Sequence, residues 1–303
     1  SLVGSEMCIR DRNEVFKKRV GKDRVMATYR ARVRARNHVA AFIKSFYRRS
    51  DMSMLELTPD FIKEFAAYLS TEAGLRNGSI WANCMWLKGV VMKAHYNGLI
   101  PRNPFIQFHI SPNVKEREYL TEDELKAVMT HEFADSKLAY IRDIFIFASF
   151  TVLSFVDIQE LTNDNIVEVN GEKWILSKRH KTKVAFQVKL LDIPLQIVER
   201  YRPMQKDNRI FPDLNYWSIC KPLKRMIREC GITKSISFHC SRHGFATLAL
   251  SKGMPIESVS RVLGHTNIVT TQLYAKITTQ KLDNDLTMFG DKLSKTFNGI
   301  TMS

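Results

Sequence analysis

The stretch from Phe238 to Lys276 contains, in order, His239-Cys240-Ser241-Arg242, Leu263-Gly264-His265 and Leu273-Tyr274-Ala275-Lys276. His-x-x-Arg places both side chains on one helical face at i, i+3. Gly264 can close a helix in the left-handed conformation, so that His265 turns out of it, and Tyr274 follows nine residues later. Two histidines, an arginine and a tyrosine in this order can surround one phosphate. Phosphodiester transfer puts extra negative charge on the non-bridging oxygens, and preorganised cationic donors in a dry site stabilise it. Arg242, His239 and His265 are the candidate donors. A tyrosine hydroxyl, with an ordinary pKa near ~10, attacks phosphorus only beside a basic group or in a field of positive charge. Tyr274 is the candidate nucleophile.

Composition points to a polyanionic partner. The 303 residues carry 46 Lys+Arg against 31 Asp+Glu, a formal charge of +15 with a pI near 9.6. The charge is concentrated: from Asn13 to Ser50 twelve Lys/Arg stand against Glu14 and Asp23, which is +10 of the net +15. Within this run Arg30, Arg32, Arg34 and Arg36 form a tight cluster suited to DNA phosphates. No apolar run approaches the roughly 20 residues of a membrane span, and the polar start has no signal-peptide pattern, so a cytoplasmic protein is expected. Cys8, Cys84, Cys220, Cys230 and Cys240 make no C-x-x-C pair, which supports neither a disulfide framework nor a zinc site. No paired carboxylates for two metal ions and no Gly-rich phosphate loop are present.

With Arg242-His243-Gly244-Phe245-Ala246-Thr247 and Leu263-Gly264-His265-Thr266-Asn267 added to the motifs above, the segment from Phe238 to Lys276 resembles the tyrosine recombinases, or phage-type integrases, almost throughout. The resemblance extends back to about Val25. It implies cutting and rejoining of DNA at attachment sites through a covalent 3′-phosphotyrosine, a free 5′-hydroxyl as leaving group, and neither metal nor nucleotide cofactor. A type IB topoisomerase shares this chemistry, and a non-catalytic DNA-binding accessory protein is the reading from another class. The long basic helical region and the Leu-Gly-His block favour the integrases.

The expected fold is mainly α with a small β-sheet. Residues 1–12 fit no helical or strand pattern and resemble translated linker sequence, so the native chain is expected to begin near Asn13, N-terminally truncated. Residues 13–112 read as a helical domain, 113–120 as a linker and 121–303 as an α+β catalytic domain. Val39, Phe42, Ile43, Phe46 and Tyr47 have i, i+3, i+4, i+7, i+8 spacing, the apolar stripe of an amphipathic helix. Thr58-Pro59 makes an N-cap and N1 pair for a helix over 59–71, and Ser79 to Tyr96 gives another that Asn97-Gly98 stops. By resemblance this is the SAM-like core-binding domain, which would clamp the duplex from the face opposite the catalytic domain. Pro101, Pro104 and Pro112 interrupt regular structure, with Lys115 and Arg117 placed to meet a passing DNA strand. Thr121-Glu122-Asp123-Glu124 is a capping box that opens the next domain.

Ile166 to Val169, Asn170-Gly171 and Trp174 to Leu176 read as a hairpin with a type I′ turn, and Val184, Phe186 and Val188 alternate as a third strand. The resemblance puts a catalytic lysine in the turn before that third strand, eight residues ahead of a proline-leucine pair. Counting back from Lys189-Leu190 gives Lys181, which could protonate the departing 5′-oxygen. Lys189 itself replaces the usual proline. Upstream, Thr151-Val152-Leu153-Ser154-Phe155-Val156-Asp157 stands where the family has Thr-Gly-Leu-Arg and then a carboxylate. Ser154 therefore occupies the position of the first catalytic arginine, while Asp157 keeps its place as support. A hydroxyl supplies neither the charge nor the fork of a guanidinium. A branch of conjugative-transposon integrases is similar in lacking that arginine, and Arg142 is the replacement this likeness suggests, with Arg179 and Lys183 as alternatives.

Leu282, Leu286, Phe289 and Leu293 have helical spacing. The resemblance implies that such a C-terminal helix docks on a neighbouring protomer in a homotetramer on DNA, with accessory DNA-bending proteins as further partners. If the arginine cluster contacts phosphates, neutralising two of Arg30, Arg32, Arg34 and Arg36 weakens binding to every duplex alike. The slope of log K against log salt then falls by about 0.9 per lost contact, measured by titration at several salt concentrations.

Overall fold

The computed structural model describes residues 13–22, 25–112, 118–180, 184–205, 207–212, 214–265, 267–274 and 279–296. The chain divides into two compact units, Ser1–Lys115 and Glu116–Ser303. Of the segment read as a linker, 113–117 lies outside the described residues, and with it Lys115 and Arg117. Glu118 and Leu120 are tied into the second unit: Glu118 Oε2 accepts from the Ser235 N–H at 2.6 Å, and Leu120 is buried in that unit's core.

Among the described residues the core of the first unit is built mainly on α1 (Met26–Phe46), α2 (Pro59–Thr71) and α3 (Asn77–Tyr96). Ala35, Val39, Phe42 and Ile43 make the buried face of α1. Phe42 sits at the centre, with the rings of Phe61, Phe65, Tyr68 and Tyr47 between 5.1 and 5.7 Å away. Phe46, expected on this face, is exposed; it ends α1 and lies against the rings of Phe42 and Tyr47 at the rim. Thr58 caps α2 by backbone position, without a side-chain hydrogen bond. In α3 the buried set is Ile80, Cys84, Leu87, Val90, Val91 and Ala94. Smaller and β-branched residues thus face the core, and Trp81 and Met85 lie at its edge. On the outer side of α1, Arg30 and Arg34 are exposed. The Arg32 guanidinium stacks 4.0 Å from the Phe16 ring centroid, so one member of the basic cluster also packs against an aromatic side chain.

The second unit is organised around a helix that is buried on nearly every face. After α4 (Glu122–Thr130), opened by the expected Thr121/Glu124 capping box, comes α5 (Ser136–Thr151), in which every residue from Asp143 to Ser149 is buried. Its polar members are satisfied locally, with Ser149 donating to the Phe145 carbonyl and Thr151 to that of Phe147. Four helices close around it or continue from it: α6 (Phe155–Gln159), α7 (Asp192–Tyr201), α8 (Tyr216–Glu229) and α9 (Cys240–Ser251). The three strands β1 (Ile166–Val169), β2 (Glu172–Lys178) and β3 (Ala185–Lys189) form one antiparallel sheet in that order. Asn170 and Gly171 both have positive φ, 53° and 77°, the geometry a type I′ hairpin requires. The chain ends in α10 (Ile256–Leu263), the short α11 (Val269–Gln272) and α12 (Thr279–Thr296). The protein is thus mainly helical with one small sheet. Among the described residues no helix is long and apolar enough to cross a membrane.

Candidate active site

The carbonyl of Val152 is the meeting point. Val152 closes α5 in the left-handed conformation, φ 61°, at the position where the recombinase likeness gives glycine. A β-branched residue there is strained by about 1 to 3 kcal/mol. Its side chain is fully buried beside Ala246, Leu250, Val259 and Leu263, and burial of a valine, worth about 1.5 to 3 kcal/mol, offsets that strain. The Val152 carbonyl accepts from Arg179 Nη1 at 3.2 Å and from Arg242 Nη1 at 3.1 Å. Arg242 reaches it from the first turn of α9, and Arg179 from the residue that follows β2. Arg242 also donates to the Leu263 carbonyl, and Arg179 Nη2 donates to that of Val262 at 3.1 Å. Two guanidinium groups are therefore anchored to the end of α5 and the end of α10 together.

Asp157 supplies the counter-charge. Its Oδ2 accepts from Arg179 Nη1 at 3.0 Å and from the Ser154 hydroxyl at 2.8 Å, and its Oδ1 accepts from the His180 backbone N–H at 2.9 Å. Asp157 and Arg179 are each only 8% exposed. Burial alone would raise the Asp157 carboxyl, but the His180 N–H, the Ser154 hydroxyl and Arg179 together hold it below the ordinary carboxylate value. One carboxylate against two guanidiniums leaves excess positive charge. Burial first, and Arg179 second, push Arg242 down to about 10; it stays charged at neutral pH, and an anion bound here would relieve the repulsion. The Arg179 Nε–H is buried with no hydrogen-bond partner among the described residues. A Cβ on Gly264 would stand 3.5 Å from that nitrogen, in ordinary van der Waals contact.

The remaining groups come from α9 and the chain after it. Gly264 ends α10 at φ 65°, with its N–H donating to the Arg261 carbonyl and that of His265 to Ser260, the expected left-handed cap. His265 is turned inward, and its Nδ1 lies 2.8 Å from Thr271 Oγ1. Burial, then Arg242, Arg179 and His239, lower its proton affinity below the ordinary histidine value. Tyr274 follows α11 and packs partly against the Val152 cluster. The buried ring of His243 stands between two others, 4.8 Å from His239 and 5.2 Å from Tyr274. His239 is exposed at the head of α9.

The structure thus gathers Arg242, His265, His239, Tyr274 and Asp157, while Lys181 lies outside the described residues, as does Lys183. Arg142 does not join them. Its Nε donates to Asp143 Oδ1 at 2.9 Å and its Nη1 to the His131 carbonyl at 2.9 Å. Asp143 is held in turn by Arg200 and Tyr201. The reason is geometric: α5 runs unbroken past Arg142 to Thr151, about 14 Å further along the axis, so nothing folds Arg142 back. Arg179, the alternative cation, is the one that stands beside Arg242 at the Val152 carbonyl. The available sequence signal was its adjacency to the turn that follows β2. His243 and Thr271 gave no such signal; each is one more helical residue until the fold is known.

A sequence profile of the phage integrase family matches residues 118–281, and one of the phage integrase SAM-like domain matches 11–110. Tyrosine recombinase XerA of Pyrococcus horikoshii is 32% identical over 177 residues, 54% of this chain and 58% of that protein. Tyrosine recombinase XerC of Lactobacillus leichmannii is 25% identical over 229 residues, 71% and 77% of the two chains. The aligned region therefore spans little more than half of the Pyrococcus relative. Among solved structures, the Tn1549 transposon integrase in complex with circular intermediate DNA superposes with a TM-score of 0.74 at 16% identity, covering 94% of this chain and 99% of that one. A lambda integrase dimer bound to a core site gives 0.67 at 16% identity, over 89% and 95%. These structural likenesses speak for the fold. The chain belongs to the phage integrase family.

The Asp157 carboxylate ties Ser154, Arg179 and the backbone of His180 to one point. Its folded pKa is depressed, so its stabilising contribution is full above the unfolded value near ~3.9 and is lost as pH falls through the lower folded value. Asp157→Asn leaves Arg179 buried without its counter-charge and should cost about 3 to 5 kcal/mol at neutral pH. Chemical denaturation of both proteins across pH should show the gap closing below pH ~4.

Proposed function

We propose that this protein is a site-specific DNA recombinase of a mobile genetic element. It cuts one DNA strand with Tyr274 and rejoins it through a 3′-phosphotyrosine. The observation that carries the reading is the pair of guanidiniums, Arg179 and Arg242, sharing the Val152 carbonyl beside the Tyr274 cluster. Such a pair suits the two non-bridging oxygens of a phosphodiester in its pentacoordinate transition state. Arg179 stands in for the arginine missing at Ser154 and supplies its positive charge beside Arg242. The Tyr274 oxygen attacks phosphorus, a P–O bond forms, and the bond to the 5′-oxygen breaks. His239 takes the tyrosine proton, His265 stabilises the transition state, and Lys181 returns a proton to the leaving oxygen. Asp157 braces Arg179 and the turn behind it.

Double-stranded DNA is the partner, supported by the basic outer side of α1 and by relatives whose structures are described as DNA complexes. Action on DNA places the protein in the cytoplasm. The likeness in fold to the Tn1549 integrase supports the conjugative-transposon branch. The domain assignment of 13–112 for core binding and 121–303 for catalysis rests on the two profile matches. The non-catalytic alternative rested in part on Ser154, and a second guanidinium beside Arg242 weighs against that part of it. In α12 the side chains of Leu282, Leu286, Phe289 and Leu293 are all exposed, an apolar face that a neighbouring protomer in a tetramer would cover.

A nicked suicide substrate carrying the attachment core, from which the short 5′-hydroxyl fragment diffuses away, should trap a denaturant-resistant protein–DNA adduct. Tyr274→Phe should abolish the adduct and leave non-covalent binding intact. Arg179→Ala and Arg242→Ala should each slow it by about 10²- to 10³-fold, whereas Arg142→Ala should leave the rate within a few-fold of wild type. No adduct on the authentic site would overturn the recombinase reading. For assembly, Leu286→Asp with Phe289→Asp should preserve binding to one half-site and eliminate the four-chain complex on paired sites in analytical ultracentrifugation.

A further inference from the structure

Hydroxyl groups in the helices of this protein usually give their proton to a carbonyl three or four residues back. Ser149 donates to Phe145, Thr151 to Phe147, Thr247 to His243 and Ser241 to Phe238. This is the common local bond of helical Ser and Thr. Thr271, on α11, departs from it. It is 0% exposed, and the hydrogen bond of its Oγ1 among the described residues runs to His265 Nδ1, at 2.8 Å. Its carbonyl meanwhile accepts from the Tyr274 N–H at 3.0 Å. One fully buried residue thus touches the histidine through its side chain and the tyrosine through its backbone.

The direction of the Thr271–His265 bond decides what His265 can do. A neutral imidazole carries one N–H, and the partner of one nitrogen fixes which nitrogen has it. If Nδ1 keeps the proton, Nε2 is a lone pair and repels a phosphate oxygen. If Thr271 donates to Nδ1, the proton sits on Nε2 and becomes a donor to that oxygen. The surroundings favour a neutral ring: burial first, then Arg242 of α9, Arg179 after β2 and His239 at the head of α9, disfavour a second proton on His265. A ring held neutral by cationic neighbours can still stabilise a phosphate, provided that its single proton is on the outward nitrogen.

We propose that the Thr271 hydroxyl is a positioning group that donates to Nδ1 of His265 and so holds the imidazole in its Nε2–H tautomer, ready to donate to the scissile phosphate. The inference rests on the phosphoryl-transfer reading for the role of that N–H, and it assigns to Thr271 a function that the motif around it does not. The geometry also separates the two contributions of Thr271: substitution of its side chain leaves the carbonyl that holds Tyr274 in place.

Two measurements test it. Long-range proton–nitrogen NMR of the histidine rings, with His265 assigned by comparison with His265→Gln, reports the tautomer without any need for catalysis. Wild type should show a protonated Nε2, and the isosteric Thr271→Val should shift His265 toward protonated Nδ1. Protonated Nδ1 in wild type overturns the proposal. In the suicide-substrate assay Thr271→Val should form adduct about 10- to 100-fold more slowly at pH 8, the range typical when the partner orienting a histidine is lost, while Thr271→Ser stays within a few-fold. The sign of the pH dependence follows from the ring. Once His265 takes a second proton, Nε2–H is present whatever residue stands at 271, so the deficit of Thr271→Val relative to wild type should shrink as pH falls. Any other group that titrates alike in both proteins cancels in that ratio. A deficit equal at every pH, as lost packing would give, overturns the proposal. Absence of adduct from wild type would strike the recombinase reading alone, because the NMR spectrum still decides the tautomer.

Discussion

Two buried or half-buried guanidinium groups, from Arg179 and Arg242, are held within reach of one carbonyl oxygen, that of Val152. Like charges at this separation repel, and the repulsion is large where water is excluded. The second unit is arranged to contain it. Three backbone carbonyls at two helix ends, those of Val152, Val262 and Leu263, take the N–H groups, and helix C-termini carry partial negative charge that suits a cation. Asp157 adds one full negative charge on the Arg179 side. The balance remains positive, so the same construction that makes the arginines tolerable in the folded protein leaves a site for an anion.

The left-handed turn at Val152 shows how the surroundings sustain this. Glycine would adopt φ 61° without strain, whereas valine does so only because its isopropyl group fills a small cluster with Ala246, Leu250, Val259 and Leu263. That cluster draws on α9 and α10 and also receives part of the Tyr274 ring. The end of α5, the helix bearing Arg242, the helix leading to His265 and the Tyr274 ring are thus packed on one another. A change in any of them reaches the others through contact.

Ser154 and Arg179 illustrate that a charge in an active site is defined by where it ends up. Ser154 has become an N-cap for α6, in a reciprocal capping box with Asp157, and its hydroxyl steadies the carboxylate that in turn anchors Arg179. Through that carboxylate Ser154 helps to orient a cation arriving from the end of a neighbouring strand. Arg142, on the same helix as Val152, is instead bonded to Asp143, a buried carboxylate that Arg200 and Tyr201 also need. Freeing it would leave that network short of a donor.

Local chemistry made much of this legible in the linear sequence. The helical caps at Pro59 and Thr121, the Asn170-Gly171 hairpin, the left-handed Gly264 and the set Arg242, His265 and Tyr274 depend on residues within one turn or one motif of each other, and sequence reports such short-range physics directly. The side chains facing the core of α3, the exposure of Phe46, the placement of Arg179 rather than Arg142 beside Arg242, and the contacts of Thr271 and His243 came only with the tertiary structure. In the case of Arg179 the bonds that define it span 22, 27 and 83 residues. The sequence by itself determined which chemistry the chain can carry, because that depends on residue types and local order. Only the folded structure decided which arginine stands beside Arg242, because the electrostatic field at a point sums over charges near in space, whatever their separation along the chain.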